Sequence, residues 1–291
     1  MRIASWTDPS GVVWPLNTPS AGWFAAAGAK GLGAVPRTIT ADERDRGGEG
    51  PPRRIQPGPR LITLPLVVVG DTEAQFEDRR EALLSAFTGS DLPGQLAVAR
   101  ADGSLRVIDA YYAEGFDADP DLGITSDLMA LTLRCPQPWF RDPTETTVVN
   151  AYSATGGRNY LSPYPAVSSG TTLGDSAVTN TGTADTWPSW TVVGPASQIV
   201  ASSTTTGESW TLTPSDPSTG HGDLLAGETV TVTTDPPSVR GPSGQNWWGT
   251  LNVGAQLWRL TPGVNAVSYA VMGSAVGTTV TLTYTRRYGS A

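Results

Sequence analysis

The chain has 291 residues, of which 38% are apolar and 16% charged, with 33 glycines and 24 prolines. Those proportions suit an ordered, turn-rich protein of one large or two ordinary domains with few long helices rather than a disordered chain. One cysteine, one histidine and a net charge of −8 exclude a disulfide framework and a cysteine-rich zinc site, leave a His-based metal centre or Ser/His/Asp triad hard to build, and disfavour sequence-independent phosphate binding.

Residues 1–36 place short apolar patches (Val12, Val13, Trp14, then Trp23, Phe24) among Gly, Pro and Ala, predicting two short strands. MRIASWTDPS has one basic residue and no apolar core, so no leader is read there and a soluble product made in a reducing cytoplasm is expected. Residues 37–60 differ in kind, with six arginines, four acids and four prolines. This composition predicts a long polar loop, either solvated or an arm that orders against a neighbouring subunit through Arg–carboxylate pairs.

LITLPLVVV (61–69) reads as a strand, and Pro65 within it points to an edge or a bulge. Its apolar core, LPLVVV, is the longest such run and far too short to span a bilayer. A helix follows: Thr72 and Gln75 form a capping box, Glu73 and Glu77 suit the positive end of the dipole, and Gly89 is a stop. Phe76, Ala82, Leu83, Leu84, Ala86 and Phe87 fall close to one face, a core stripe rather than a cofactor box. QLAVAR and LRVIDAYY, joined through Asp102–Gly103, predict a hairpin. Asp117, Asp119 and Asp121 alternate in an acidic turn that lacks the downstream Glu and central Gly of an EF-hand, and it is read as solvated. DLMALTLRC closes this part as a strand. The first 143 residues thus make a β-rich α+β unit with one helix.

LRCPQPWFRDP (133–143) ends that unit. Three prolines in eight residues cannot continue a sheet strand, and the large aromatics among them need a folded surface to cover them. Cys135, Pro136, Pro138, Trp139 and Phe140 are therefore assigned to a stiff interdomain joint, dividing the chain into 1–143 and 144–291. Beyond it the composition turns to Thr, Ser and Gly: from Asn150 on there is no lysine, with five arginines and seven acids. AYSATGGRNYLSPYP reads as a linker or first edge. SAVTNTG, SWTVVG, SQIVAS, ESWTLT, ETVTVTT, QLWRL, AVSYAVM and TTVTLTYTRRY then recur at period two between turn signals, predicting an antiparallel β-sandwich or barrel.

Nothing in the chain assembles a catalytic site. There is no Walker loop, no G-x-G-x-x-G after a strand and no G-x-S-x-G elbow, and His221 sits in a Gly-rich turn. No enzyme activity, cofactor or metal is expected. Ten tryptophans leave two readings open: Trp187, Trp190, Trp247 and Trp248 fill a core or a subunit contact, or some present a sugar-stacking platform. The Trp247–Trp248 doublet is the best candidate for a glycan or partner contact, since strand neighbours point to opposite faces.

The order of these features resembles the distal tail (Dit-like, minor tail) proteins of long non-contractile-tailed bacteriophages. The helix and hairpin of 72–112 are similar to that family's N-terminal domain, and CPQPWFRDP to the Cys-Pro-x-Pro-aromatic stretch that ends it. NTGTADTWPSWTVVGPAS (180–197) resembles the Asn-x-Gly entry to a galectin-like C-terminal sandwich. LLAGETVTVTTDPPSVR, LWRLTPGVNAVSYAV and the closing TLTYTRRYGSA resemble its final strands, including the Leu-x-Pro-Gly-x-Asn turn at Leu260–Asn265. The Arg/Pro-rich 37–60 stretch matches no feature of the family. The resemblance implies a virion protein of the tail tip whose tail-tube-like N-terminal domains form a homo-hexameric ring. That ring would join the tail tube protein to the tip or baseplate hub, let DNA pass its lumen without specific binding, and carry receptor-binding proteins on the outer sandwich. The 37–60 arm and the edge near Pro65 are the expected ring contacts. A carbohydrate-binding module for cell-wall glycan is the alternative.

Overall fold

The computed structural model describes residues 2–43, 49–116, 123–152 and 172–291. They form two compact units, Met1–Pro143 with Tyr288–Ala291, and Thr144–Arg287. The fold is mainly β in both. The acidic turn with Asp117, Asp119 and Asp121 and most of the expected linker lie outside the described residues.

The first unit is built on an antiparallel sheet of β1 (Arg2–Thr7), β2 (Val13–Pro15), β3 (Trp23–Ala25), β6 (Arg60–Val69), β7 (Gly94–Ala99), β8 (Leu105–Glu114) and β9 (Ser126–Cys135), in the order β2-β1-β7-β8-β9-β6-β3. The helix α1 (Glu73–Thr88) contributes Phe76, Leu83, Ala86 and Phe87 to the core. Of the expected stripe, Ala82 is exposed and Leu84 half-buried. The Thr72 hydroxyl caps the Gln75 N–H at 3.2 Å, while the Gln75 side chain accepts from Asp71 N–H, one residue outside the reciprocal bond of a capping box. Trp6 ties sheet to helix. Its indole N–H donates to Ala86 O at 2.9 Å and its ring stacks on Phe87 at 4.7 Å. A Cβ at position 94 would lie 2.1 Å from that ring, which is why β7 opens on Gly94.

Two expectations are corrected here. β6 is not an edge: β9 pairs with all ten of its residues, and β3 with the Lys30 bridge covers the other side. Pro65 is tolerated because its carbonyl, which accepts from Ala26 N–H at 2.9 Å, and hence its missing N–H face the side that β3 covers only from Leu66 on. The 37–60 stretch is not a loop either. β4 (Arg37–Glu43) and β5 (Glu49–Pro57) form a two-stranded sheet of their own, with Arg53 paired to Asp42 and Gly58 N–H bound to Pro36 O at its base. Its polar, proline-rich strands carry no period-two signal because neither face is packed into a core.

In the second unit β11 (Thr146–Ala151), β13 (Ser189–Val193), β16 (Thr229–Thr234), β17 (Pro237–Arg240) and β19 (Thr279–Tyr284) form one sheet. β12 (Thr172–Asn180), β14 (Gln198–Ser203), β15 (Ser209–Leu212) and β18 (Gly263–Met272) form the other. Both contribute alternate residues to one core, the sandwich expected from period two. QLWRL is an exception: it forms no strand, only a bridge from Leu260 to Thr186, yet it buries Trp258. Trp190 packs edge-on to Trp258 and Trp210, at 4.7 and 5.4 Å, and donates to Tyr269 OH at 3.2 Å.

Candidate functional site

The residues expected to form a joint, Cys135 to Phe140, belong to the first unit. β9 ends at Cys135, buried in its core, and burial pushes the Cys135 thiol up to about 12. Pro136 is exposed, Pro138 buried, Trp139 half-buried beside Gly289, and Phe140 fully buried at the start of the short β10 (Phe140–Arg141). A residue not singled out from the sequence organises them. Arg60 is 1% exposed, and its guanidinium lies 5.0 Å over the Phe140 ring. Its Nε–H donates to Pro138 O at 2.9 Å, Nη1 to Gly31 O and Gly33 O, and Nη2 to Gly289 O at 2.8 Å. One cation thus satisfies carbonyls from three distant segments, a use of the rigid five-donor fork that lysine could not match. Burial lowers the pKa of this guanidinium. The signal was present in the sequence: Arg60 has the same parity as Ile62, Leu64, Leu66 and Val68, all inward on β6.

The β4–β5 arm presents the second feature. Ile39 and Ile55 face each other across the hairpin and are 59% and 55% exposed. An apolar cross-strand pair left in water on a lone two-stranded ribbon is marginal by itself.

The tryptophan doublet splits. Trp247 is buried in the sandwich core, edge-on to His221 at 5.2 Å, while Trp248 is 46% exposed in a short 3-10 turn, Trp248–Thr250. Trp187 is exposed and Trp190 belongs to the core. His221 Nε2 lies 3.2 Å from Glu228, whose other oxygen accepts from Leu225 N–H. That places the only histidine in a turn-closing contact. No group of three metal-ligating side chains occurs among the described residues. An open cleft lined by Asp8, Trp14, Ser85 and Ser90 offers no free base: Asp8 already accepts from Ser10, Val12 and Trp14, and its hydrogen bond from the Ser10 hydroxyl, first among these, holds its pKa low.

Two asparagines from the quoted motifs close the sandwich's turns. Asn180 donates to Ala184 O and Leu260 O and accepts from Gly182 N–H. Asn265 accepts from Thr261 N–H and donates to Thr261 O, Gly263 O and Val178 O. β12 pairs with β18 so that Asn180 sits opposite Gly263 and Val178 opposite Asn265. The Asn-x-Gly and Leu-x-Pro-Gly-x-Asn motifs are therefore one buried hydrogen-bonded corner.

No protein-family model and no curated protein matches this chain. Solved structures do. The crystal structure of the SPP1 Dit protein (gp 19.1), described as a paradigm of the hub adsorption apparatus in phages that infect Gram-positive hosts, superimposes with a TM-score of 0.67 at 16% identity, over 97% of this chain and 98% of that one. A chain of the phage p2 baseplate in its activated conformation matches with TM-scores of 0.51 in the calcium form and 0.52 in the strontium form. Both are at 11% identity and cover at least 99% of both chains. The chain has a Dit-like fold over its whole length.

Proposed function

We propose that this chain is a structural protein of a phage tail tip, the hub that joins the tail tube to the distal tip or baseplate. One observation carries the reading: the fold superimposes on that of the SPP1 Dit protein over 97% of the chain with a TM-score of 0.67, a length that a shared sandwich alone would not give. In this role the first units form a homo-hexameric ring and the second units carry receptor-binding components. The contribution of the chain is architectural rather than catalytic. A closed ring needs two different faces per subunit, and the β4–β5 arm supplies one, its Ile39–Ile55 pair gaining from burial on a neighbour. The net charge of −8 suits a lumen that lets DNA pass without holding it. Cys135–Pro143, stiffened by its prolines, is the joint of this design; Trp139→Ala should increase limited proteolysis near residue 143.

Native mass spectrometry and negative-stain microscopy test the ring. Hexamers are expected from the purified chain at high concentration, and Ile39→Asp with Ile55→Asp should return it to monomers. A wild-type chain that stays monomeric under all assembly conditions would overturn the reading.

A second reading, attachment to cell-wall glycan, is favoured by the half-exposed indole of Trp248, since a bare Trp face stacks on sugar rings. A glycan array with wild type and Trp248→Ala separates the two. Absence of binding by the wild type to wall sugars removes this reading and leaves the hub untouched.

A further inference from the structure

The first unit is discontinuous in sequence. Its last four residues, Tyr288–Ala291, follow the 144 residues of the second unit, Thr144–Arg287, and they are not a loose tail. Tyr288 and Ala291 are 8% and 1% exposed and belong to the first unit's apolar core. The guanidinium of Arg106 lies 3.7 Å over the Tyr288 ring and donates to Ser290 O at 2.6 Å. Arg60 donates to Gly289 O at 2.8 Å, and Ala291 N–H donates to Leu32 O at 2.9 Å. The strand Arg287–Tyr288, β20, pairs with β10.

The chemistry of the two arginines makes this segment more than a convenient cover. Both guanidinium groups are buried, and burial lowers the pKa of each. A buried cation with an unmet N–H is costly because water cannot replace the lost acceptor. Without residues 288–290, Arg60 and Arg106 each lose a carbonyl partner, and Arg106 also loses the Tyr288 ring that covers it. Arg60 then keeps its bonds to Gly31, Gly33 and Pro138 but carries a buried N–H with no acceptor, which loosens its hold on those segments.

We propose that Tyr288–Ala291 is a latch: the first unit completes its core only after the second unit's chain has been made, so a chain cut short within the sandwich leaves an incomplete first unit. The two buried arginines are the receptor for the latch, and the order of residues along the chain sets the sequence of events. Nothing in this device depends on the ring.

Hydrogen exchange read by mass spectrometry on the full chain tests it, with the sandwich strands as an internal control. Tyr288→Ala and Ala291→Glu, the second placing a charge in an apolar site, should raise exchange at least about tenfold at residues 30–34, 60–62, 106–108 and 138–141. Exchange in β13, β16 and β19 should stay within about twofold of wild type. Arg106→Lys keeps the charge but loses the planar stack on Tyr288, and should give the same pattern at smaller amplitude. If the first unit's exchange is unchanged when the segment is displaced, the latch is only a cover and the proposal fails. It fails equally if both units lose protection together, because the segment would then act on the whole chain rather than on its own unit.

Discussion

Among the described residues the first unit buries two guanidinium groups, Arg60 and Arg106, whereas the buried polar side chains of the second, Asn180, Thr186, Ser203, Thr250, Asn265 and Thr278, are all neutral. The difference follows from what each group must reach. Asn180 and Asn265 satisfy backbone groups within a turn, on the adjoining strand or at the Leu260 bridge, a span that a short amide covers. Arg60 must meet carbonyls 29, 27, 78 and 229 residues away in sequence, at a point where three non-strand segments converge and no ladder supplies donors. The sandwich closes with regular strands and needs only local repairs. The first unit closes on irregular chain, and a single long cation replaces the missing sheet.

The comparison can be broken at its two centres. Trp190→Ala removes the indole packed against Trp210 and Trp258 and should cost the second unit about 3–5 kcal/mol. Arg60→Met keeps the volume but orphans the carbonyls it serves, and should cost the first unit about 2–4 kcal/mol. Urea unfolding, followed by exchange in each unit, should show each substitution moving its own unit's midpoint. Equal movement of both midpoints by either change would mean that the units unfold as one. A milder test lies at the sandwich corner. Asn265→Ala should cost about 1–3 kcal/mol, because the buried carbonyl of Val178 and the half-buried one of Thr261 lose their donor, while Asn265→Asp should fail to repair it, having no N–H to give.

How much of this was legible depends on whether a signal is local. The capped helix with Phe76, Leu83 and Phe87, the Asp102–Gly103 hairpin and most sandwich strands follow from spacing, since each buries one face against the core. β4 and β5 carry the composition of a loop because their pairing satisfies the backbone without burying a face, so arginine and proline occupy them freely. Trp258 lies in a run whose pattern predicts a strand but which carries only a bridge, because its indole is held by the Trp190–Trp210 pair rather than by a ladder. Arg60 stands among the charges of the polar 37–60 stretch although the parity of β6 places it inward; a charge at a core position reads as an error until its acceptors are known, and those come from residues 31, 33, 138 and 289. The return of Tyr288–Ala291 to the first unit left no mark in composition at all, and the expected boundary carried the second domain through residue 291.

The finest distinction between the units lies in alkali. Cys135 in the first unit and Tyr269 in the second are both fully buried. Burial raises the thiol from 9.0, against the pull of the Arg60 charge, and the phenol from 10.0, against its hydrogen bond from Trp190, each to about 12. A raised pKa means that the fold favours the protonated, neutral form. The stability it contributes is whole below the unfolded value and is lost as pH climbs toward 12. At pH 10 the unfolded thiol is largely ionised and the unfolded phenol only half so. The first unit should therefore lose about 1 kcal/mol between pH 8 and pH 10 and the second a few tenths. Urea midpoints at the two pH values read this directly, and Cys135→Ala should abolish the first unit's share while Tyr269→Phe leaves it alone. Below pH 9 the thiol of the folded chain should also resist alkylation, being both covered and protonated. Rapid labelling of Cys135 at pH 8.5 in the absence of urea would show that the end of β9 opens without unfolding, and that the Arg60 clamp beside it is looser than its hydrogen bonds imply.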